Sequence, residues 1–376
     1  MKYLDRKLEK QIKKLFFDGK AIIVLGARQV GKTTLINKVL EKFSVKKIAR
    51  INGDDPDDIE KIYKKGLEYY IYLFSDVDII YIDEAQKIPE IGNTIKLLVD
   101  HYKKQKQIVV TGSSSINLLD NTSESLTGRK YSFYLFGLSI AELAAANNKK
   151  YVESIIDQIL LYGLYPEIVT SQSFQKKELL LDQITDSNLY QDILGYQNIK
   201  NPLVIRQLLK MLALQIGQEV SVTELASSLG IDKNTVGKFI DLLERAFIVF
   251  RLSSFTKKKR KEISKNKKIY FYDLGIRNAL LNDFRDFENR SDYGNLWENF
   301  IILEMLKRNK YLNVKNELFF WRTFKGAEID LVETTIDQTI GYEIKSNKKS
   351  PEKPSSWKYG SYQVINKQNY LQYLIK

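Results

Sequence analysis

The hydrophobic and polar positions of the chain fall into alternating short apolar runs and stretches with helical spacing. Three runs, Ala21 to Leu25, "VDIIYID" ending at Asp83, and "QIVVTG" (107–112), are short and bounded by turn residues, and they predict buried strands. Ahead of them, Leu4, Leu8, Ile12 and Leu15 recur at helical spacing and predict an amphipathic helix packed on the first domain. From about 146 to 210 the pattern is mostly helical, interrupted by the turn-containing "LYGLYPEIV" (161–169). Within 218–252, Ser221-Val-Thr-Glu224 is a capping box that opens a short helix, Gly230 turns the chain, and a second amphipathic helix opens near Asp232 to Thr235. An apolar strand, a basic run and the strand "KIYFYD" follow. Residues 291–376 read as a helix, "YGNLWENFIILEMLKRN", then strands "ELFFWRTF", "AEIDLVETT" and "TIGYEIKS".

The first strand leads into Gly26-Ala27-Arg28-Gln29-Val30-Gly31-Lys32-Thr33-Thr34, and an amphipathic helix follows. This strand–loop–helix context is the one a phosphate-binding loop requires: glycines let backbone N–H groups wrap phosphates, and the helix N-terminus favours anions. Lys32 is expected to reach the β- and γ-phosphates, and Thr33 to ligand Mg²⁺. The second strand ends in Asp83-Glu84. Asp83 is expected to hold the Mg²⁺, directly or through water, and Glu84 to polarise the attacking water. The third ends in hydroxyls, of which Ser113 is placed to touch the γ-phosphate or orient water, or to be a turn residue.

Composition limits the chemistry. Cysteine is absent and His101 is the single histidine, which excludes disulfides, thiol catalysis, zinc clusters and the Ser-His-Asp arrangement. Catalysis is left to carboxylates, lysines, arginines, hydroxyls and a hard metal. A length of 376 residues suggests two or three domains. No apolar run approaches the ~20 residues of a membrane span, and the charged N-terminus does not read as a secretory signal, so the expected location is cytoplasmic. The net charge of +13 points toward polyanions, and "TKKKRKEISKNKK" (256–268) carries eight basic residues and one acid, roughly half of that excess.

Beyond Ser113 comes "LTGRKYSFYLFGLSIAEL", with Arg129 directly before another apolar strand. The motifs "GARQVGKT", "DEAQKIP", "LTGR" and "LSIAEL" resemble the bacterial and archaeal AAA-type P-loop ATPases with a GxRQVGKT loop, a DE-x-Q strand end and an L-x-GR box. The resemblance continues through the Gly-x-Pro box of "LYGLYPEIV". It implies an ATPase whose arginine at the Arg129 position reaches a neighbouring subunit's nucleotide, hence a possible homo-oligomer; a surface or strand-capping arginine is the alternative.

The helix–turn–helix followed by a hairpin reads as a winged helix. Lys233, Asn234, Thr235 and Lys238 would face a DNA groove, with Lys257, Lys258, Lys259 and Arg260 on phosphates. The alternatives are a packing module and a solvated hairpin.

Near the C-terminus, alternation along Tyr342-Glu343-Ile344-Lys345 puts Glu343 and Lys345 on one strand face, with Asp330 on the preceding strand. Two carboxylates at a strand edge make a Mg²⁺ or Mn²⁺ site, a lysine beside them orients or deprotonates water, and Glu298 on the helix completes the shell. The pattern resembles the D…E-x-K core of the restriction-endonuclease-like fold, a region that members of this ATPase family typically carry.

The expected architecture is α/β: a P-loop AAA-type parallel-sheet domain at 1–145, a helical lid or linker at 146–215, a winged helix at 216–275 and a restriction-endonuclease-like domain at 276–376. The expected function is ATP binding and hydrolysis acting on or with DNA, together with Mg²⁺-dependent DNA cleavage. The alternatives are a nucleotide-gated DNA- or protein-binding switch without nuclease activity, and a protein-interaction ATPase without DNA.

Overall fold

The computed structural model describes residues 3–113, 126–188, 202–256, 267–347 and 351–375. They form two compact units, Asp5–Gly137 with Arg245–Phe247, and Leu138–Glu244 and Ile248–Lys376 with Met1–Leu4.

The first unit is built on five strands: β1 (Ala21–Leu25), β2 (Ile48–Asn52), β3 (Ile79–Asp83), β4 (Gln107–Gly112) and β5 (Lys130–Tyr134). Their order is β2-β3-β4-β1-β5, and every pair is parallel. Strands β1 and β4 are buried along their whole length, which is why they read as continuous apolar runs. Because the strands are parallel, the segments that follow β1, β3 and β4 emerge at one edge of the sheet, where ligands bind in open α/β folds. The helix Lys7–Lys14 buries Leu8 and Ile12, as its spacing predicts.

The second unit contains one seven-stranded sheet. It comprises β6 (Glu219–Val220), β7 (Val249–Ser254), β8 (Lys267–Phe271), β9 (Glu317–Arg322), β10 (Glu328–Thr334), β11 (Thr339–Ile344) and β12 (Ser361–Ile365). Their order is β12-β11-β10-β9-β7-β8-β6. Strands expected of two separate modules, 216–275 and 276–376, are joined by a parallel pairing of Ser253 and Ser254 with Phe319 and Phe320. The helices Val222–Leu229 and Lys233–Arg245 flank Gly230. Ser221 caps the first, accepting from the Glu224 amide at 3.3 Å.

The first unit ends at Gly137, short of the expected 145, because the next helix is anchored in the second unit. Ser139 and Glu142 form a reciprocal capping box on Ile140–Ala146, and the Ile140 amide donates to Glu304 Oε2 at 2.8 Å. Glu304 sits on the helix Tyr293–Tyr311, paired with buried Lys307, whose Nζ lies 2.7 Å from Glu304 Oε1 and 3.0 Å from the Leu138 carbonyl oxygen. The "LSIAEL" motif is therefore a helix start with a long-range anchor. Among the described residues no helix is long and apolar enough to cross a membrane.

Candidate functional site

The loop after β1 is fixed from several directions. A Cβ on Gly26 would lie 2.0 Å from the Leu135 carbonyl oxygen, so only glycine permits that approach. Gly31, at φ 92, precedes the helix Lys32–Leu40. Lys32 is 4% exposed, and its ammonium donates to the carbonyls of Gly26 at 3.0 Å and Ala27 at 2.9 Å. Arg6 braces the loop from the N-terminal segment: its guanidinium donates to the Val30 carbonyl at 2.9 Å and to that of Phe136 at 2.6 Å. The sequence reading missed Arg6, whose acceptors lie 24 and 130 residues away and leave no local pattern.

The acids after β3 meet this loop. Thr33 Oγ1 donates to Asp83 Oδ2 at 2.8 Å, and Thr111 Oγ1 donates to Asp83 Oδ1. A hydroxyl and a carboxylate brought together beside the phosphate loop are hard oxygen donors of the type Mg²⁺ takes, so these residues fit that cation. Glu84 adopts the left-handed backbone region at φ 47 and ψ 40, which costs a non-glycine residue about 1 kcal/mol. Strain of this kind clusters at functional sites. Ser113, 1% exposed at the end of β4, joins Glu84 through Gln86: the Gln86 amide nitrogen lies 2.6 Å from Glu84 Oε2 and 2.8 Å from Ser113 Oγ. Lys32, Thr33, Asp83, Glu84 and Ser113 thus lie at the carboxyl edge of one parallel sheet. Ala27, Arg28, Gln29 and Thr34 belong to the same loop and helix start, and Thr34 is exposed.

Arg129 lies at the other edge. Its carbonyl accepts from the Ala21 amide at the start of β1, and its side chain pairs with Asp100 at 2.5 Å. Five strand residues at about 3.3 Å each, roughly 16 Å, separate it from the phosphate loop of its own chain.

In the second unit, Lys233, Asn234 and Lys238 are exposed on one helix and Thr235 is partly exposed. Lys257, Lys258, Lys259 and Arg260 lie outside the described residues. Asp330 sits where two residues of β10, Asp330 and Leu331, oppose the single Phe320 of β9. The bulge re-aims Asp330, whose Oδ2 accepts from the Ile344 amide at 2.7 Å. Lys345 Nζ lies 2.6 Å from Glu343 Oε1 and 4.0 Å from Asp330 Oδ2. Burial, and then the nearby Asp330 charge, raises the Glu343 carboxyl above its ordinary range; burial is also the main cause of the rise at Asp330.

Glu298 lies close enough for its charge to act on Asp330 and Lys345, and its own carboxylate is held by Lys268 and Tyr270. Lys268 Nζ, 5% exposed, lies 3.2 Å from Glu298 Oε1 and 2.6 Å from Glu328 Oε1, and Tyr270 OH donates to Glu298 Oε1 at 2.6 Å. Burial pushes the Glu298 carboxyl up to about 7, against the Lys268 charge. Burial opposes the charge on Lys268, but Glu298 and Glu328 together push its ammonium up to about 12. Among the described residues no group of three or more histidines and acids is arranged to hold a metal ion. The Lys268 ammonium thus lies among the carboxylates of Glu298, Glu328 and Asp330. Lys268 and Tyr270 escaped the sequence reading because β8 read only as a strand.

Comparison with known proteins agrees with the first unit. Residues 18–144 match the AAA domain family, 153–286 match a domain of unknown function, DUF8612, and 293–373 match another, DUF4143. Fold and match together define an AAA-type P-loop domain at the N-terminal side of this chain. Over 327 residues the chain is 29% identical to the uncharacterized protein Rv2008c of Mycobacterium tuberculosis, covering 86% of this chain and 70% of that protein. It is 23% identical over 333 residues to the uncharacterized protein MJ1544 of Methanocaldococcus jannaschii, covering 82% and 71%. Among solved structures, a Thermotoga maritima RuvB mutant is similar at TM-score 0.33 and 16% identity, covering 69% of this chain and 93% of that one. The Pif1 helicase from Candida albicans is similar at TM-score 0.28 and 11% identity, covering 49% and 48%. These structural likenesses are too distant to carry an argument.

Proposed function

We propose that this chain binds ATP with Mg²⁺ along Gly26–Thr34, hydrolyses it, and uses the nucleotide state to alter its engagement with DNA. The observation that carries the proposal is the convergence of Lys32, Thr33, Asp83 and Glu84 at the carboxyl edge of the parallel sheet. Lys32 exchanges its carbonyl partners for β- and γ-phosphate oxygens. Thr33 and Asp83 hold the cation, which supplies charge neutralisation on those oxygens when bound. Glu84 accepts the proton of the water whose oxygen attacks the γ-phosphorus as the bond to ADP breaks. Ser113 donates to the γ-phosphate. Arg129, at the opposite edge, serves a neighbouring subunit's nucleotide in a homo-oligomer.

The DNA part rests on the second unit. Two helices about Gly230, followed by the antiparallel pair β7–β8 with β6 alongside β8, support a winged-helix reading. Lys233, Asn234, Thr235 and Lys238 would face the groove, and the basic run 257–260 the phosphates. For the C-terminal carboxylates the switch without cleavage is the reading we favour, because Lys268 already balances Glu298 and, among the described residues, no group of three or more acids is arranged to hold a metal ion. Phosphate release with and without DNA, run beside a nicking assay on supercoiled plasmid in Mg²⁺, tests both parts. ATP hydrolysis that responds to DNA without nicking is expected. Nicking that disappears in Asp330→Ala would restore the nuclease reading, and absence of hydrolysis would remove the ATPase.

A further inference from the structure

We propose that Gln86 is a positioning residue that couples Ser113, at the end of β4, to the Glu84 carboxylate. The inference rests on the ATPase reading of the same site and adds the element that tells the general base what the phosphate end of the site is doing. Gln86 lies in the single turn Ala85–Lys87 directly after β3 and is 4% exposed. Its amide nitrogen donates to Glu84 Oε2 at 2.6 Å and to Ser113 Oγ at 2.8 Å, and its amide oxygen accepts from the Ser113 backbone N–H at 3.2 Å.

The orientation of that amide is fixed by chemistry at both ends. An ionised carboxylate only accepts, so the nitrogen faces Glu84; a backbone N–H only donates, so the oxygen faces the Ser113 amide. A planar group gripped twice by Ser113 and once by Glu84 moves with both. Ser113 receives its hydrogen bond from Gln86, which leaves its own hydroxyl proton to donate to an anionic oxygen outside this trio. A phosphate oxygen that draws on Ser113 therefore shifts the amide that holds Glu84.

The test compares the full-length wild type with Gln86→Ala, Gln86→Glu, Ser113→Ala and the double Gln86→Ala/Ser113→Ala. Each is measured for ATP affinity by calorimetry, thermal stability, and the kcat and KM of hydrolysis. Gln86→Glu keeps the side-chain shape and the acceptor for the Ser113 amide while replacing the donor to Glu84, so it serves if the alanine variant fails to fold. For the two Gln86 variants the expected result is ATP affinity and KM close to wild type with kcat lowered by about 10²-fold, the size of effect that misplacing a reacting group by an ångström produces. The two alanine substitutions should combine to much less than the product of their separate effects, because they interrupt one linkage. Unchanged kcat in folded Gln86→Ala or Gln86→Glu overturns the inference while leaving the ATPase intact. Equal loss of affinity, stability and kcat, or simple multiplication of the two alanine effects, reduces Gln86 to packing. A wild type that hydrolyses nothing removes the ATPase reading itself, and this inference with it.

Discussion

Thr33 and Asp83 are 50 residues apart in sequence and meet side chain to side chain, with Thr33 Oγ1 donating to Asp83 Oδ2 at 2.8 Å. The pair joins the start of the helix after the phosphate loop to the end of β3, and so places two hard oxygen donors beside the loop. Thr33→Val should remove most of the gain in ATP affinity that Mg²⁺ confers, so that calorimetry in Mg²⁺ and in EDTA converges. A Mg²⁺-dependent gain as large as in the wild type would mean that Thr33 only spaces the helix.

Arg129 and the phosphate loop lie at opposite edges of the same sheet. If the arginine acts on a neighbour's nucleotide, turnover per subunit rises with protein concentration. Arg129→Ala then lowers kcat by up to about 10³–10⁵-fold, the range of such fingers. Mixing Arg129→Ala with Glu84→Gln subunits should recover some activity, since each supplies what the other lacks. Concentration-independent turnover that survives Arg129→Ala would leave the Asp100 ion pair as its role.

DNA retention should weaken steeply with salt as phosphate contacts release counterions. Replacing Lys257, Lys258, Lys259 and Arg260 with serine should flatten the slope of log affinity against log salt by up to about four, at about 0.9 per contact. Replacing Asn234 and Lys238 should change sequence preference instead. A slope unaltered by the four serines would assign the run to solvent.

Asp273 links the turn at Gly163 to the second unit's helix Leu274–Leu281. It accepts from the Leu164 amide at 2.7 Å and the Ile276 amide at 3.2 Å, and a Cβ on Gly163 would lie 1.9 Å from its Oδ1. Burial pushes this carboxyl from its ordinary 3.8 up to about 6. Between those values the folded chain holds a proton that the unfolded chain releases, so this contribution to stability is complete below about pH 4 and is lost as pH rises through 6. The loss is on the order of 2–3 kcal/mol. Denaturant unfolding of the wild type and Asp273→Asn from pH 4 to 7 should show curves that converge in shape outside that window and differ within it. Parallel curves throughout would contradict the assignment.

The front of the chain was legible because its signals are local. Three apolar runs, a glycine loop and two consecutive acids each announce themselves within ten residues, and parallel burial makes such strands easy to read. Strand β2 was missed because its pattern is only partly buried, and β12 because nothing in "SYQVI" separates it from loop. What escaped at the sites is long-range: Arg6 bracing Val30 and Phe136, Gln86 bridging Glu84 and Ser113, and Lys268 taking Glu298. The bulge at Asp330 left no mark in the period-two alternation that put Glu343 and Lys345 on one face, yet Lys345 still lies 2.6 Å from Glu343 and 4.0 Å from Asp330. The shared sheet through β7 and β9 likewise depends on two paired residues that no local spacing marks.

The most direct measurement is ATP binding and phosphate release by wild type, Lys32→Ala and Glu84→Gln side by side. The wild type should bind and hydrolyse ATP, and Lys32→Ala should lose hydrolysis and most of its affinity. Glu84→Gln should bind ATP as tightly as the wild type while turnover falls by about 10²–10⁴-fold, the contribution of a general base. Equal ATP affinity in wild type and Lys32→Ala, or undiminished turnover in Glu84→Gln, would contradict the ATPase reading.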